Sequence, residues 1–425
     1  MSRSSAGSVS GNRLLVLLLV LLVTVVSCDD IGYRNASGAD KSGDDGLQIE
    51  SIYDDPDKVD RFLQDLAETY ETCEYVVLGY SSDRGYPLSK IIISDNPGTV
   101  EAEPKIQIIG AVHGDEQSAV YVPLAFASLL LESDDPGIKQ LVESYSFHIM
   151  PVPNPWGLKN RKRYTADLVD LNRNFSWAWT EGSYHGDEPF DQSESALIRD
   201  DALDNAYSLS LTFHAGEACI STPWDYIGTT ESLGDPQSYS YDDFLAFYMP
   251  NAQTVFSYAR EYELDVVNAG NDDFYSIEGF DWYPCYGTLG DWMYGQRGAV
   301  AYTIELSKRK LYSPEYEIRH VWDEHRNALV RLLDICATGI SGTVTDGDTG
   351  EAVQAVIHAA EAGRDPRDPV LYSLFTESDR TNGFFHLICD PGTYTVTVTA
   401  DGYDVYEGSA GQGTSPVSIV LHKTP

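Results

Sequence analysis

From residue 47 to residue 338 the chain alternates short apolar runs with amphipathic stretches. Continuous apolar runs predict buried strands, whereas apolar positions three and four residues apart predict helices. Alternation of the two predicts an α/β domain, with a mixed sheet layered by helices. The predicted strands are residues 73–80, 89–94, 105–112, 146–152, 208–214 and 299–306, and the predicted helices are residues 57–69, 117–132, 194–205, 244–261 and 316–337.

Beyond Gly339 the pattern changes to short β-rich runs separated by turn signals such as Asp346-Gly347. Dipeptides of this kind mark tight connections between strands. About seven short strands in about 85 residues are typical of a small all-β sandwich. The chain is therefore predicted to contain two folded domains, residues 47–338 and residues 339–425.

The amino terminus has the pattern of an export signal. Two arginines precede an apolar run over residues 14–26, which is too short to span a bilayer comfortably. The run ends in V-V-S-C, which resembles the bacterial lipobox. Residues 1–27 are therefore predicted to be a lipoprotein signal peptide, with Cys28 as the lipidated first residue of the mature chain. An ordinary signal peptide with an incidental cysteine is the alternative.

Residues 28–46 are mostly Gly, Ser, Asp and Asn, so they bury too little apolar surface to fold and are predicted to be a disordered tether. A lipid and a tether predict an exported protein anchored on the outward face of the bacterial cell envelope. Five more cysteines are an odd count for a compartment that permits disulfides. Cys219 and Cys285 are candidates for a bridge, and the sequence leaves the pairing open.

Composition excludes several classes of protein. Hydrophobic residues make up 42% of the 425 residues and aromatic residues 12%, which excludes a mainly disordered chain. The net charge of -38 argues against nucleic acid as a partner, because no basic patch is present to neutralise phosphates. A solvated acidic surface explains this charge most simply, and adaptation to a salty exterior is the alternative.

Candidate metal ligands stand at the ends of predicted strands. The segment from His113 to Glu116 follows strand 105–112, on the kind of turn where open α/β sheets gather ligands, and His214 ends strand 208–214. Two imidazoles and one carboxylate, with a fourth position open to water, form a catalytic zinc site. An H-x-x-E pattern alone is weak, so the assignment depends on the other motifs.

Catalytic residues are predicted around this site. Glu305 lies in an otherwise apolar strand, where an unpaired carboxylate is costly to bury, and is the predicted general base for a zinc-activated water. A structural, salt-bridged glutamate is the alternative. Arg163 is predicted to polarise the scissile carbonyl, and Arg161 competes for that role. His320 and His325, five residues apart on a charged helix, are predicted to be surface residues.

Asn172 and Arg173 are predicted to bind a terminal carboxylate of the substrate. A guanidinium group matches a free carboxylate with two parallel hydrogen bonds, so a site built on it selects substrates that end in a carboxylate. The predicted partners are therefore the C-termini of peptides or proteins.

Longer motifs resemble a known family. They are N-P-W-G at 154–157, D-L-N-R-N-F at 170–175, D-W-Y-P-C-Y-G-T-L-G-D-W at 281–292 and, in the tail, P-G-T-Y-T-V-T-V-T-A-D-G-Y. Together they resemble the zinc metallocarboxypeptidases of the carboxypeptidase A/B superfamily. The closer resemblance is to the regulatory N/E-type branch, in which a transthyretin-like sandwich follows the catalytic domain. It covers nearly all of the chain from residue 50 onward and implies an eight-stranded mixed sheet, with residues 47–338 as the catalytic domain.

The resemblance also implies roles for single residues. His113, Glu116 and His214 correspond to the ligands of one zinc ion per chain, and Asp170 to the carboxylate that orients a zinc-bound imidazole. The ten-residue spacing of Arg163 and Arg173 resembles the family's R-x9-R segment and favours Arg163 over Arg161.

The substrate pocket is implied in the same way. Tyr283 has the spacing of the mobile tyrosine that closes over substrate in relatives. Asp225, eleven residues beyond His214, stands where N/E-type relatives carry the aspartate that pairs with a basic terminal side chain, which implies a preference for C-terminal Arg or Lys. Gly290 stands where relatives often have glutamine.

Two other functions compete with the carboxypeptidase. A cell-wall peptide amidase or an N-acyl amino-acid deacylase uses the same zinc chemistry, and cell-wall peptides also end in carboxylates. A non-catalytic binding or adhesion lipoprotein is the other alternative, but the intact ligand set and Glu305 argue against it.

Overall fold

The computed structural model of the protein describes residues 49–83, 85–227, 251–312, 315–361, 374–411 and 416–424. The predicted signal peptide, Cys28 and the tether lie outside the described residues, as do residues 244–250 of one predicted helix. Within the described segments, no helix combines the length and the apolarity that crossing a membrane requires.

The helices of the described residues all lie in the first domain. They are α1 (Pro56–Thr69), α2 (Ser118–Glu132), α3 (Pro136–Ser144), α4 (Pro155–Asn160), α5 (Ser193–Asp204), α6 (Ala252–Asn268), α7 (Gly279–Trp282), α8 (Leu289–Arg297) and α9 (Arg319–Leu332). Short polar side chains cap several of them: Asp55 accepts from an amide of α1, Asn154 from one of α4 and Thr288 from one of α8. Proline at the first position of α1, α3 and α4 reinforces these starts.

Eight strands form one sheet in the order β1-β2-β4-β3-β5-β8-β6-β7. They are β1 (Cys73–Tyr80), β2 (Pro87–Ile93), β3 (Lys105–Ile109), β4 (Ser146–Met150), β5 (Tyr207–His214), β6 (Ala218–Thr222), β7 (Tyr275–Glu278) and β8 (Val300–Leu306). The central strands β4, β3, β5 and β8 are parallel, and β5 is buried along its whole length. Their carboxyl ends therefore share one edge of the sheet. The predicted eight-stranded mixed sheet flanked by helices is confirmed.

All six predicted strands form, but the apolar pattern missed several short elements. Strands β6 and β7 have 5 and 4 residues, and helices α3, α4, α7 and α8 have 9, 6, 4 and 9 residues. Segments this short contain too few periods for the spacing of apolar residues to distinguish them from loops. The predicted helix 316–337 is α9 flanked by two short 3-10 turns.

The remaining strands form a small all-β domain, as predicted. They are β9 (Ile340–Asp346), β10 (Val356–Glu361), β11 (Leu374–Glu377), β12 (Phe384–Leu387), β13 (Thr393–Thr399), β14 (Tyr406–Gly411) and β15 (Val417–Leu421). A sheet with the order β11-β10-β13-β14 and another with the order β12-β9-β15 enclose one apolar cluster, which includes Ile357, Phe385 and Val398. Full burial of such side chains contributes roughly 1.5–3 kcal/mol each to the stability of this core.

The expected surface position of His325 is wrong, and the cysteine pairing that the sequence left open is decided by the structure. His325 is fully buried, and its ring contacts the Tyr262 hydroxyl at 2.8 Å and the Leu306 carbonyl at 2.9 Å, whereas His320 is exposed as expected. Residues five apart on a helix lie on different faces, and the face that carries His325 packs against the core. The five cysteines of the described residues are buried free thiols, so Cys219 and Cys285 form no bridge.

Candidate metal centre and active site

The three predicted metal ligands come together at the carboxyl edge of the sheet. His113 lies on the loop after β3, Glu116 lies on the turn before α2, and His214 is the last residue of β5. All three side chains are buried. Because β3 and β5 are adjacent and parallel, their carboxyl ends place the two imidazoles side by side.

Nitrogen and oxygen atoms of these side chains converge on one point. Nδ1 of His113 lies 3.1 Å from Nδ1 of His214, and the two carboxylate oxygens of Glu116 lie 3.0 and 3.1 Å from these nitrogens. Ligands of a tetrahedral zinc ion, with bonds of about 2.0–2.1 Å, are separated by about 3.3 Å. Two facing imidazole nitrogens beside a carboxylate are the donor set that zinc takes, so the residues fit this metal.

Asp170 orients the first imidazole. Its Oδ1 lies 3.0 Å from Nε2 of His113, so Nε2–H donates to the carboxylate and Nδ1 keeps its lone pair for a metal. Burial opposes the charge on Asp170, but His113 and Arg163 outweigh burial and hold the pKa of Asp170 far below its usual value. In the same way, the imidazoles of His113 and His214 lower the pKa of the buried Glu116 carboxyl.

Only one of the two candidate arginines contacts this centre. Arg163 donates to Oδ2 of Asp170 from Nε at 2.9 Å and from a terminal nitrogen at 2.8 Å, and lies 3.2 Å from Nδ1 of His113. Arg161 is an exposed residue at the carboxyl end of α4 and pairs with Asp54. Arg163 is therefore placed to reach a group bound at the metal centre, and Arg161 is not.

Glu305 lies on β8 directly opposite His214 in the sheet register. It is buried, and its Oε2 is among the buried polar atoms of the described residues that have no hydrogen-bond partner. Burial, and then the nearby charge of Glu116, raise the pKa of Glu305 to about 8. An unpartnered buried carboxyl with a raised pKa, directly beside a candidate metal site, is available to exchange a proton with a bound group.

Asn172 and Arg173 follow Asp170 on one short turn. The amide of Asn172 donates to Oδ1 of Asp170 at 3.0 Å, and Oδ1 of Asn172 accepts from the amide of Leu289 at 2.9 Å. Burial opposes the charge of Arg173, but Asp170 outweighs burial and raises the pKa of the guanidinium. Tyr283 lies close enough to Arg173 for the guanidinium charge to act on its hydroxyl, and it is 41% exposed, so it lies at the rim of the site.

Asp225 lies beside this group, on the loop after β6. Its backbone amide donates to both carboxylate oxygens of Asp291, each at 3.0 Å, and its side chain lies near Thr288. Burial raises the pKa of the Asp225 carboxyl, whereas Thr288 and Arg173 lower it. A Cβ at position 290 would approach only the Thr303 hydroxyl, at 3.4 Å, so Gly290 leaves space in this region.

Sequence reasoning missed two charged residues of the site. Lys310 donates from Nζ to Oε1 of Glu116 at 2.8 Å, and its only signal is a Lys-Arg-Lys run that begins two residues after β8. Asp291 is fully buried on α8, where burial and the charge of Asp225 raise its pKa well above the usual value. Sequence alone showed Asp291 only as part of a motif.

A mixed α/β sheet whose carboxyl edge holds two buried imidazoles, a carboxylate that fits a metal site with them, and an unpartnered second carboxyl has the features of a metal-dependent hydrolase. The sequence model of the zinc carboxypeptidase family, Peptidase_M14, matches residues 59–328, and the chain belongs to this family.

Individual relatives agree with this membership. Carboxypeptidase SOL1 of Arabidopsis thaliana is 30% identical over 371 residues, which are 84% of this chain and 69% of that protein. Carboxypeptidase D of Anas platyrhynchos is 29% identical over 332 residues, which are 73% of this chain and only 22% of that longer protein. Among solved structures, carboxypeptidase A from Helicoverpa armigera is similar with a TM-score of 0.55 and 20% identity, over 68% of this chain and 74% of that one, which supports the fold.

Proposed function

We propose that this protein is a carboxypeptidase with one zinc ion per chain, which removes single residues from the C-terminal ends of peptides or proteins. One observation carries the proposal: Oδ1 of Asp170 contacts both Nε2 of His113 and the amide of Asn172. This carboxylate therefore ties a metal ligand to the turn that presents Asn172 and Arg173. The reacting centre and the group that reads a terminal carboxylate are thus held at a fixed separation, which suits cleavage of the last peptide bond.

A zinc ion held by His113, Glu116 and His214 would act as a Lewis acid and lower the pKa of water. Arg173, Asn172 and Tyr283 bind the terminal carboxylate, with the guanidinium group supplying most of the charge. Glu305 takes the proton from the attacking water and passes it to the leaving amine. Arg163 stabilises the negative charge that develops on the scissile carbonyl oxygen.

The terminal side chain is proposed to be Arg or Lys. Asp225 provides a carboxylate beside the terminal-carboxylate site, and Gly290 leaves room for a long side chain. A basic side chain forms a charge-assisted pair with this carboxylate, whereas an apolar side chain leaves it desolvated without a partner.

The proposed function is tested with matched peptides that end in Arg, Lys, Leu, Phe or Glu, and with the Arg peptide capped as an amide. We expect release of Arg and Lys at least about tenfold faster than Leu or Phe, and little cleavage of the amide. Asp225→Asn should remove the basic preference, while Asp404→Asn, at an exposed carboxylate of the β domain, should not.

Preference for Leu or Phe in the parent protein would contradict the pocket assignment. Turnover of cell-wall peptides or N-acyl amino acids in place of C-terminal residues would favour the amidase or deacylase. Activity that survives removal of zinc with a chelator would contradict the metal assignment. A protein that binds zinc and cleaves none of these substrates would be a binding protein instead.

We also propose that Cys28 carries a lipid that anchors the protein to the bacterial cell envelope, because the V-V-S-C sequence follows an export-signal pattern. Cys28→Ser should release the protein from membranes with its peptidase activity intact, since residues 28–46 separate the anchor from the folded domains. Intact-mass measurement of the mature protein tests this. A mature chain that begins at another residue, or carries no lipid, would exclude the anchor.

A further inference from the structure

We propose that the β domain is a positioning element for the terminal-carboxylate site, and that it acts by clamping the carboxyl end of helix α8. The inference builds on the proposed function, because it assigns the β domain a part in binding the C-terminal carboxylate. Helix α8 connects the two regions: its first turn touches the substrate-binding residues and its last turn touches the β domain.

The first turn of α8 forms hydrogen bonds with two residues of the proposed substrate site, Asn172 and Asp225. The amide of Leu289 donates to Oδ1 of Asn172 at 2.9 Å, which fixes the side chain of Asn172. Both oxygens of Asp291 accept from the backbone amide of Asp225 at 3.0 Å. The orientation of α8 therefore sets the positions of Asn172 and Asp225 together.

The last turn of α8 is clamped by β11 of the β domain. The guanidinium of Arg297 donates to both carboxylate oxygens of Glu377, at 2.9 and 2.7 Å, in a pair that is mostly buried. Gly298 ends the helix with φ +68°, and a Cβ there would lie 2.1 Å from the Phe375 carbonyl oxygen. The β domain thus packs against backbone at the end of α8, and a two-point ion pair fixes its direction.

A second connection runs from the middle of α8. The hydroxyl of Tyr294 donates to Oδ1 of Asn251 at 2.7 Å, and Nδ2 of Asn251 donates to the Ile388 carbonyl of the β domain at 3.1 Å. All of these groups are buried. Two separate contacts along one short helix restrict its rotation as well as its translation.

The interface also offers a matched control. Lys105 and Asp379 form another largely buried ion pair between the domains, at 2.7 Å. Lys105 lies at the start of β3, away from the carboxyl edge of the sheet. Loss of this pair removes a comparable interdomain contact without touching α8.

The experiment compares full-length Glu377→Gln and Asp379→Asn, both loaded with zinc, on a peptide that ends in Arg. We expect Glu377→Gln to raise KM about tenfold with little change in kcat, because ground-state binding of the carboxylate is weakened. Amide hydrogen exchange at Leu289 and Asp291 should accelerate about tenfold in the same variant. Asp379→Asn should leave KM and this exchange unchanged, even if it lowers the melting temperature.

Unchanged KM and exchange in Glu377→Gln would overturn the proposal, and so would equal changes in Asp379→Asn, because the β domain would then only add stability. If Glu377→Gln fails to fold, Arg297→Lys keeps the charge, loses the two-point contact and is expected to show the same rise in KM. If the parent protein releases no C-terminal residues, the proposed function fails, while the exchange measurement still decides whether Glu377 holds the first turn of α8.

Discussion

Two buried clusters of ionisable side chains lie on the same sheet and differ in one respect. The first cluster is the candidate metal centre of His113, Glu116 and His214, with Glu305 beside it. Two of its atoms, Nε2 of His214 and Oε2 of Glu305, have no hydrogen-bond partner among the described residues. In the other cluster, Lys90 contacts Asp201 at 2.5 Å and His148 at 2.8 Å, and Tyr207 contacts the same two residues at 2.8 and 2.9 Å. No side-chain atom of this second cluster is left unsatisfied.

The comparison shows that burial of charge does not by itself identify a functional site. Both clusters contain buried histidine and carboxylate groups, and both shift the pKa of a histidine. The closed cluster pairs every charge and hydroxyl, so it has nothing left to offer a ligand. The open cluster directs two imidazole nitrogens and a carboxylate at one point and keeps a second carboxyl unpartnered, which is what chemistry on a bound substrate requires.

The largest expected effect comes from Glu305→Gln. We expect kcat to fall by about 10²–10⁴-fold, because the proton acceptor is lost while the three metal ligands remain. Zinc content, measured by elemental analysis, should be unchanged, and the free energy of unfolding should not fall, since an unpartnered buried carboxyl is removed. Near-parental turnover in this variant would show that the open cluster does not use Glu305.

A second test uses the two arginines near the open cluster. Arg163→Ala should lower kcat by about 10²–10³-fold, because the charge on the carbonyl oxygen loses its stabilising donor. Arg161→Ala is the control, since Arg161 is exposed and pairs with Asp54. Steady-state kinetics on one peptide decides between them. A larger loss in Arg161→Ala would reverse the assignment.

The closed cluster should respond in stability and not in catalysis. Asp201→Asn leaves the buried Lys90 ammonium without its counter-charge and should lower the free energy of unfolding by about 3 kcal/mol. Chemical denaturation measures this loss, and kcat per folded molecule should stay at the parental value. A drop in kcat without a loss of stability would mean that the two clusters are coupled.

The smallest expected effect is the pH dependence of the closed cluster. Burial, and then the charge of Lys90, hold the pKa of His148 well below its usual value. Below about pH 6.5 the unfolded chain therefore binds a proton that the folded protein excludes. The free energy of unfolding consequently decreases as the pH is lowered, by up to about 1.4 kcal/mol per pH unit. Denaturation at about pH 7 and about pH 5 should show a shallower dependence in His148→Gln than in the parent. The parent and His148→Gln share the same metal centre, so its own pH dependence cancels in the comparison. An identical pH dependence of stability in the two proteins would show that His148 is not its source.

The sequence predicted the type of fold because its long elements are strongly periodic. Strands with regularly spaced apolar residues, such as β3 and β5, need no tertiary context to be recognised, and neither does the amphipathic α1. Strand ends also revealed the position of the site, because His113 and His214 follow or end an apolar run, Glu305 is next to the last residue of β8, and parallel strands bring such positions to one edge.

Other features had no local signal. Its place on a charged helix predicted His325 to be a surface residue, whereas the fold buries it against Tyr262, since only packing decides which side of a helix faces the core. Lys310 reaches Glu116 from a loop 194 residues further along the chain. Short elements such as β6, β7 and α8 are held by their neighbours and not by propensity.

The sequence by itself thus determined the α/β and all-β composition of the two domains, the family, and which side chains stand at the ends of the strands. These properties depend on periodicity and on motifs, which are local. Only the tertiary structure decided that Asp170 joins His113 to Asn172, that Arg163 contacts this centre while Arg161 pairs with Asp54, and that Glu377 of the β domain pairs with Arg297 of α8. Each of these is a contact between segments distant in the chain or a choice between neighbouring side chains, and geometry of that kind exists only once the core has packed.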